Sequence, residues 1–437
     1  MLMATTGQLE PLNTDAQRRC VEYVLDVLLG DRRDRVVYGR PEPESSPSDP
    51  HLYIIPSSFF PEYGTPSSDP ALPLADWKGI PLLFGTPRSE WSGNHLVLHA
   101  DIVASSYYLL TRYEEYTNPA RDAFGRFSGK GSLAGRAGFV ERPVVDEYAA
   151  QLSQMLADMG YKKPADRIFS VTLSHDVDDV SKFTNPLRTL AGTCLGWRPL
   201  SDIAQHLKIL SGTAKDPYDN YNDLLALAAT AREQASCPVQ NEFYFLASRR
   251  AHKLDRRYAL SSRAAQSVLQ DVQTAGATVG LHVSYQAGLD ATQISRECQA
   301  LAACTDAPIR KARYHYLGWR AVSDGFALAA AGITDDSTLG FPDLAGFRLG
   351  VCRPVPLFDP ASCQLLGITE HPLIAMDRTL RASRYMNLDE ESAYELLIRL
   401  LRVTQRHNGE FVTLWHNATL ADDPWQWRVY TRFLAAL

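Results

Sequence analysis

Three aspartates and a histidine lie at the end of the apolar run VTLSHDVDDV, residues 171–180. Side chains alternate along a strand, so Asp176 and Asp178 are expected to share one side while His175 faces the other way. Two carboxylates held together repel each other unless a cation or a shared proton lies between them. A divalent metal ion would remove that conflict. The alternative is that these aspartates cap the next helical turn or pair with nearby arginines.

Three further segments carry side chains suited to metal binding or proton transfer. GLHVSYQ contributes His282, although a lone strand histidine is commonly a hydrogen-bonded core residue. In RYHYLGWR, alternation puts Arg313 and His315 on the same side, and the alternative is a surface arginine pair beside a buried aromatic. TLWHN adds His416 and Asn417. Together these segments could bring carboxylates, imidazoles and a guanidinium to one site.

The elements that must position these residues begin near Arg167. Apolar strand candidates alternate with longer helical stretches, which predicts parallel pairing in a barrel or a wound sheet. Such folds build active sites at the C-terminal ends of their strands. The expected polar residues at those ends are Asp176, Ser284, Tyr316, Asp335 and Asn417.

The first part of the chain has shorter strands and proline-rich connections. DRVVYG, HLYIIP, PLLFG and HLVLHA are strand candidates, and apolar residues from Ile102 to Tyr113 recur at the spacing of an amphipathic helix. We therefore expect a small N-terminal α/β domain over residues 1–166 and a larger α/β domain over residues 167–437.

Composition narrows the function further. The chain has 437 residues and a net charge of -6, without a basic run that would bind nucleic acid. Its seven cysteines include no CxxC pair, which favours a reducing compartment. The N-terminus lacks the features of a secretory signal, and no apolar run has membrane-spanning length. These features predict a cytoplasmic protein without a membrane span.

The motifs SHDVDD, GLHVSY, RYHYLGWR and TLWHN, in that order, resemble the polysaccharide deacetylase (NodB-homology) superfamily. The first part is similar to the small N-terminal domain of some bacterial members. The resemblance implies a deformed (β/α) barrel that removes acetyl groups from N-acetylated sugars with a divalent metal, usually zinc. Carried onto this chain, it implies Asp176 as general base and Arg313 as its orienting partner. It further implies Asp178 and His282 as metal ligands and His416 as general acid.

Two positions depart from the family pattern. The family's two aspartates are adjacent, whereas Val177 separates Asp176 from Asp178, so the alternative pair is Asp178 as base and Asp179 as ligand. The family's second histidine falls on Gln286, and glutamine is a poor zinc ligand. We expect His315 to supply the missing ligand, with a substrate contact as the alternative.

The residue types fit amide hydrolysis. A metal can lower the pKa of bound water to about 7 and polarise an acyl oxygen, while a carboxylate and a histidine move the protons. Groups near Tyr285 and Tyr316 are candidates to stabilise the oxyanion. Tyr285, Trp319, Trp415 and Trp425 are candidates to stack on sugar rings, although many aromatic side chains serve only the core.

The expected activity is metal-dependent deacylation of an N-acylated saccharide, or of its nucleotide-linked or lipid-linked precursor, in assembly of a surface glycan. Two alternatives stay open. One is a non-catalytic carbohydrate-binding protein that has lost the metal, and the other is hydrolysis of a non-sugar amide or a cyclic imide.

Overall fold

The computed structural model describes residues 9–41, 51–165, 167–248, 254–255, 258–288, 290–320 and 324–437, apart from the side chain of Arg188. The α-helices in these ranges are α1 Thr14–Leu29, α2 Ile102–Leu110, α3 Tyr113–Thr117, α4 Leu133–Arg136, α5 Val144–Asp158, α6 Pro186–Cys194, α7 Ser201–Leu210, α8 Tyr221–Gln234, α9 Arg263–Thr274, α10 Ala291–Ala302, α11 Asp324–Ala330, α12 Asp377–Arg381, α13 Glu390–Arg406, α14 Asn417–Asp422 and α15 Pro424–Leu434. Short 3-10 helices are Gly30–Arg35, Pro66–Ser68 and His315–Leu317.

The strands are β1 Val36–Tyr38, β2 Leu52–Ile54, β3 Ala75–Trp77, β4 Ile80–Leu82, β5 Gly85–Ser92, β6 His95–Ala100, β7 Ser170–Val177, β8 Val239–Leu246, β9 Thr278–Val283, β10 Lys311–Tyr314, β11 Asp335–Asp336, β12 Val355–Asp359, β13 Gln364–Glu370, β14 Leu373–Met376 and β15 Glu410–His416. No described helix combines the length and the apolar character needed to cross a bilayer.

The N-terminal segment contains a four-stranded sheet in the order β1-β2-β6-β5, with β3 and β4 as a separate pair. The four apolar strand candidates of this segment correspond to β1, β2, β4 and β6. Strand β5 was not anticipated because all eight of its residues are exposed, so its sequence shows no apolar alternation.

The expected amphipathic helix from Ile102 to Tyr113 is wrong in two respects. Helix α2 ends at Leu110, and Arg112 adopts a left-handed backbone (φ 56°) before α3 begins. Every residue of α2 is buried, and its Tyr107 ring lies 6.0 Å from that of Phe358 on β12. Since α2 packs between the N-terminal segment and the second sheet, it has no solvent-facing side.

The second sheet has nine strands in the order β12-β13-β11-β10-β9-β8-β7-β15-β14, and all neighbours are parallel except β12 and β13. Strands β13 and β14 lie near opposite ends of this order, although only His371 and Pro372 separate them in the chain. Two residues cannot cross a flat sheet, so the sheet must curl into a half-barrel that brings β13 and β14 close together. The sequence LLGITEHPL, expected to be one strand, is therefore split between the two ends.

The register brings the expected motifs to one edge of this sheet. Asp176 on β7 is paired with His416 on β15, and His282 on β9 with Arg313 on β10. Asp335 was expected at the same edge, but it is paired with Lys311 at the start of β10. It therefore lies toward the opposite end of the barrel.

The N-terminal segment packs against β12 and the loop before it. Tyr23 stacks on Phe358 with ring centroids 4.6 Å apart. A buried ion pair joins Arg353 to Asp146 at 2.6 Å. Buried apolar residues of both segments form one continuous core. The mixed α/β class and the curled parallel sheet are confirmed, while the division into domains at residue 166 stays a prediction.

Candidate metal centre and active site

Asp176 and Asp178 lie at the same end of strand β7 but contact different side chains. Strand β7 lies between β15 and β8, and its buried end places Asp176 and Asp178 inside the barrel rim at 2% and 6% exposure. The Arg313 guanidinium donates to Asp176 Oδ1 at 3.0 Å. It also donates to Ser174 Oγ at 2.8 Å and to the Ser337 carbonyl at 2.7 Å, so its direction is fixed.

Asp178 belongs to a cluster that can hold a metal ion. Its Oδ1 lies 3.5 Å from His282 Nε2 and 3.3 Å from His315 Nε2, and one ligand atom from each residue lies within 4.8 Å of the others. These three atoms are buried and have no hydrogen-bond partner among the described residues. Buried polar atoms without partners are costly, and one carboxylate with two imidazoles is a common zinc donor set. The residues present therefore fit a divalent metal.

The two histidines are held with Nε2 toward Asp178. His282 Nδ1 lies 3.0 Å from the Arg313 carbonyl, and His315 Nδ1 lies 2.8 Å from Asp255 Oδ1. Asp255 also accepts the backbone N–H groups of Tyr285 and Gln286 at 2.9 and 3.0 Å. Contacts of this kind fix the tautomer and ring orientation of metal-ligating histidines.

The electrostatics of the cluster favour the metal-binding forms of Asp178 and His315. At His282, by contrast, burial is outweighed by the Asp176 and Asp178 carboxylates, which raise its pKa. Burial alone would raise the pKa of the Asp178 carboxyl, but His315 and His282 hold it well below its usual range. Burial lowers the pKa of His315 despite the nearby Asp178 and Asp255 carboxylates. An ionised carboxylate and a neutral imidazole are the ligand forms.

His416 approaches from β15 on the other side of Asp178, with its Nε2 3.9 Å from Asp178 Oδ2. Asp377 accepts from the His416 backbone N–H and lies 2.9 Å from His416 Nδ1. Burial would lower the pKa of His416, but the Asp377 carboxylate outweighs it, so the pKa is raised. A histidine that keeps its proton to higher pH suits the role of acid.

An open pocket of about 510 Å³ lies over these groups, and Asp176, Asp178, His315 and His416 line it. Tyr316 follows β10 with a left-handed backbone (φ 63°), a conformation that is unusual for a bulky residue and concentrates at functional sites. The Tyr316 ring stacks on Phe124 of the N-terminal segment at 5.0 Å and 9°. The segment RDAFGRF therefore covers one side of the pocket.

Some of the expected site residues lie elsewhere. Trp415 was expected to bind substrate, but it is 1% exposed and packs on Tyr430 at 5.0 Å. Since Leu414 and His416 line the pocket, alternation turns Trp415 to the opposite face. Trp319 and Trp425 are also buried. That burial makes them core residues.

The residues at the two departures from the family pattern, Gln286 and Asp179, both lie outside the metal cluster. The Gln286 side chain is exposed, so it is outside the metal cluster. Asp179 is also outside it, and its backbone carbonyl accepts from Tyr221 and Asn417. Tyr285 is half-buried, with its ring 6.2 Å from that of Tyr316. The structure therefore groups Asp176 with Asp178 at the site.

Sequence reasoning missed two carboxylates that position the histidines, Asp255 and Asp377. Asp377 directly follows the apolar strand β14, so the rule that found Asp176 could have found it too. Asp255 follows no periodic pattern in AHKLDRRYAL, and the sequence held no signal for it.

Residues 17–161 match the model of a family described as "Family of unknown function (DUF7033)". No curated protein matches the chain in sequence. A crystal structure described as "putative polysaccharide deacetylase from Mycobacterium smegmatis" aligns with 63% of this chain and 86% of its own. The identity is 16% and the TM-score is 0.40. A likeness at that TM-score supports no conclusion about this chain, and the proposal below rests on the geometry of the site.

Proposed function

We propose that this protein is a metal-dependent hydrolase that removes the acyl group from an N-acylated saccharide. The observation that carries the proposal is the cluster of three buried metal-donor atoms on Asp178, His282 and His315, which have no hydrogen-bond partner in the part of the chain that the structure describes. A carboxylate held by an arginine and a histidine held by a carboxylate flank this cluster. Zinc is the proposed metal, because this donor set is typical of catalytic zinc sites.

When bound, a divalent ion would polarise the acyl carbonyl and make a water molecule more acidic. Asp176 would then accept the proton of the attacking water, since Arg313 keeps its second oxygen directed at the site. The water oxygen bonds to the acyl carbon and the C–N bond breaks. His416, in its protonated form, would give its Nε2 proton to the departing nitrogen, and its Nδ1–H donates to Asp377, which holds the ring with Nε2 toward the pocket. The products are a carboxylic acid and a free amine.

The alternative of a binding protein without a metal depended on Gln286. His315 could supply the third donor atom of the cluster, which supports the metal-dependent hydrolase over this alternative. Hydrolysis of a non-sugar amide or a cyclic imide would use the same groups and differs only in substrate. The cytoplasmic location stays a prediction.

The experiment is a screen for carboxylate release from N-acetylated mono- and oligosaccharides, an N-acetylated peptide and a cyclic imide. The purified full-length protein is used as isolated, after chelation, and after zinc is restored. We expect acetate release from at least one saccharide that is lost on chelation and recovered with zinc. Activity on the peptide or the imide alone would contradict the saccharide assignment.

A further inference from the structure

Three arginines stand at the mouth of the pocket, and two of them form no ion pair with a described carboxylate. Arg126 is buried and pairs with Asp122 at 2.6 Å. Arg378 on α12 and Arg384 after it are exposed and line the same pocket, and neither has a carboxylate in ion-pair range among the described residues. Two guanidinium groups without an ion-pair partner among the described residues therefore line the pocket above Asp178.

Arg384 is held at the mouth by aromatic faces. Its guanidinium carbon lies 4.8 Å from the Tyr385 ring centroid and 5.8 Å from that of Phe124. Arg126 donates to the Tyr385 hydroxyl at 2.7 Å and thereby fixes that ring. Cation–π contacts keep a guanidinium in place while its N–H groups stay free to bind a ligand.

We propose that Arg378 and Arg384 form a subsite for an anionic group, a phosphate or a carboxylate, on the saccharide. This inference rests on the function proposed above and names the class of its substrate. Guanidinium groups bind these anions through paired, charge-assisted hydrogen bonds. The two arginines line the mouth and the metal cluster lies on the pocket floor, so an anion bound by the arginines orients the substrate with its acyl amide toward the cluster.

Binding to the zinc-loaded protein tests this subsite, measured by calorimetry in an Asp176→Asn background that suppresses turnover. The probes are N-acetylglucosamine, its 1-phosphate and an N-acetylated aminouronic acid. We expect Arg378→Gln and Arg384→Gln each to weaken an anionic probe about 10-fold and to leave the neutral sugar unchanged. Arg381→Gln is the matched control, since Arg381 pairs with Asp423 instead.

A preference for the phosphate or for the uronic acid identifies the anion. Equal loss for neutral and anionic probes, or tight anionic binding that survives the double substitution, would overturn the subsite. Absence of binding by both anionic probes would do the same. The proposed function fails separately, if the wild-type protein releases no acetate.

A second inference concerns the helical hairpin of α6 and α7, which turns its polar side chains inward. Thr189 Oγ1 lies 2.8 Å from His206 Nδ1 between the helices, and Asp202 is buried beside Arg198. Large apolar side chains face outward, with exposures from 49% to 80%: Leu187, Leu190, Leu195, Trp197, Leu200, Leu207 and Leu210. A water-facing helix pair has the reverse pattern. The outer face is therefore suited to an apolar partner.

The area of the outer face and the net charge of the hairpin indicate the chemical nature of that partner. Helices of 9 and 10 residues lying side by side present a face of about 300 Å², well below the roughly 800 Å² per partner of a stable protein interface. Residues 186–210 contain the cations Arg188, Arg198 and Lys208 against the single acid Asp202, a net of +2 in a chain of net charge -6. Leucine and tryptophan beside basic residues are typical of helices that lie in a membrane interface.

We infer that the α6–α7 hairpin docks on an anionic phospholipid surface. The test is co-sedimentation of the full-length protein with phosphatidylglycerol or phosphatidylcholine vesicles. We expect at least 10-fold stronger binding to phosphatidylglycerol and about 100-fold loss in a Trp197→Ser, Leu200→Ser variant. The control is Trp91→Ser, because Trp91 is 61% exposed on β5 and lies outside the hairpin.

Circular dichroism and the thermal midpoint should be unchanged in both variants. No binding to either vesicle would overturn the inference. A concentration-dependent dimer that the double variant loses, without vesicle binding, would assign the face to a second copy of the chain.

Discussion

Asp176 and Asp178 lie at the end of one strand, but their proposed chemical roles differ because different side chains contact them. Asp176 meets a guanidinium that orients it, while Asp178 meets two imidazoles whose free nitrogens converge on it. Strand alternation predicted the pairing of Asp176 with Asp178, and likewise that of Arg313 with His315. Applied to TLWHN, the same rule would have turned Trp415 away from His416. Long-range partners such as Asp255 could not be predicted, because tertiary contacts alone bring them to the site.

Asp176→Asn should reduce turnover by about 10²- to 10⁴-fold and retain the metal, since an amide cannot accept a proton from water but has nearly the same volume. Steady-state kinetics and elemental analysis measure the two effects. The matched control is Asp179→Asn, expected to keep wild-type activity. Normal turnover in Asp176→Asn with loss in Asp179→Asn would favour the pair Asp178 and Asp179 instead.

The pH dependence of activity should follow the pKa of His416, which in turn depends on Asp377. An acid acts only while protonated, so activity falls as pH rises through the pKa of His416. That pKa is lowered by burial and raised by the Asp377 carboxylate, with a net increase. In Asp377→Asn the alkaline limb of kcat/KM should therefore move to lower pH, and in His416→Ala it should disappear at a reduced rate. A limb that stays in place in both variants would assign it to another group.

At the scale of elements, the apolar runs predicted the parallel strands that carry the site. The split of β13 from β14 and the break at Arg112 were not predictable from local pattern, because barrel closure and packing of α2 decide them.

Tyr244 on β8 contacts residues of two other strands of the sheet. Its ring lies 4.4 Å from the Arg313 guanidinium, and it occupies space left by Gly280 on β9.

Gly280→Ala should destabilise the protein and disturb Arg313, because the new Cβ would lie 2.6 Å from the Tyr244 ring. Overpacking of this kind costs about 1–3 kcal/mol. The urea midpoint and kcat should both fall. Gly39→Ala is the control, since its Cβ would meet no atom of a described residue within 4 Å. Equal midpoints for the two variants would contradict the close approach of Gly280 and Tyr244.

At the scale of the whole molecule, the N-terminal segment and the barrel share a core, and the loop with Phe124 completes the pocket. The sequence predicted two α/β segments, but their contact across β12 depends on side chains far apart in the chain.

The interior also contains His175, which is fully buried and stacks on Phe243 at 4.7 Å.

Burial lowers the pKa of His175 from 6.5 to about 4. The unfolded chain therefore takes up the proton first as pH falls below about 6.5, and stability is lost toward pH 4. At pH 5 this single group should cost about 2 kcal/mol relative to neutral pH. Urea unfolding at pH 7 and pH 5 should show a smaller difference in His175→Phe by about that amount. An unchanged difference would mean that His175 is protonated in the folded protein.

Elemental analysis of the purified protein after dialysis against zinc shows whether Asp178, His282 and His315 hold a metal ion. We expect about one equivalent of zinc per chain in the wild type and in Gln286→Ala, whose exposed side chain lies outside the cluster. His282→Ala and His315→Ala should each bind zinc at least 10-fold more weakly. Full occupancy in a folded His315→Ala, or no zinc in the wild type, would contradict the account.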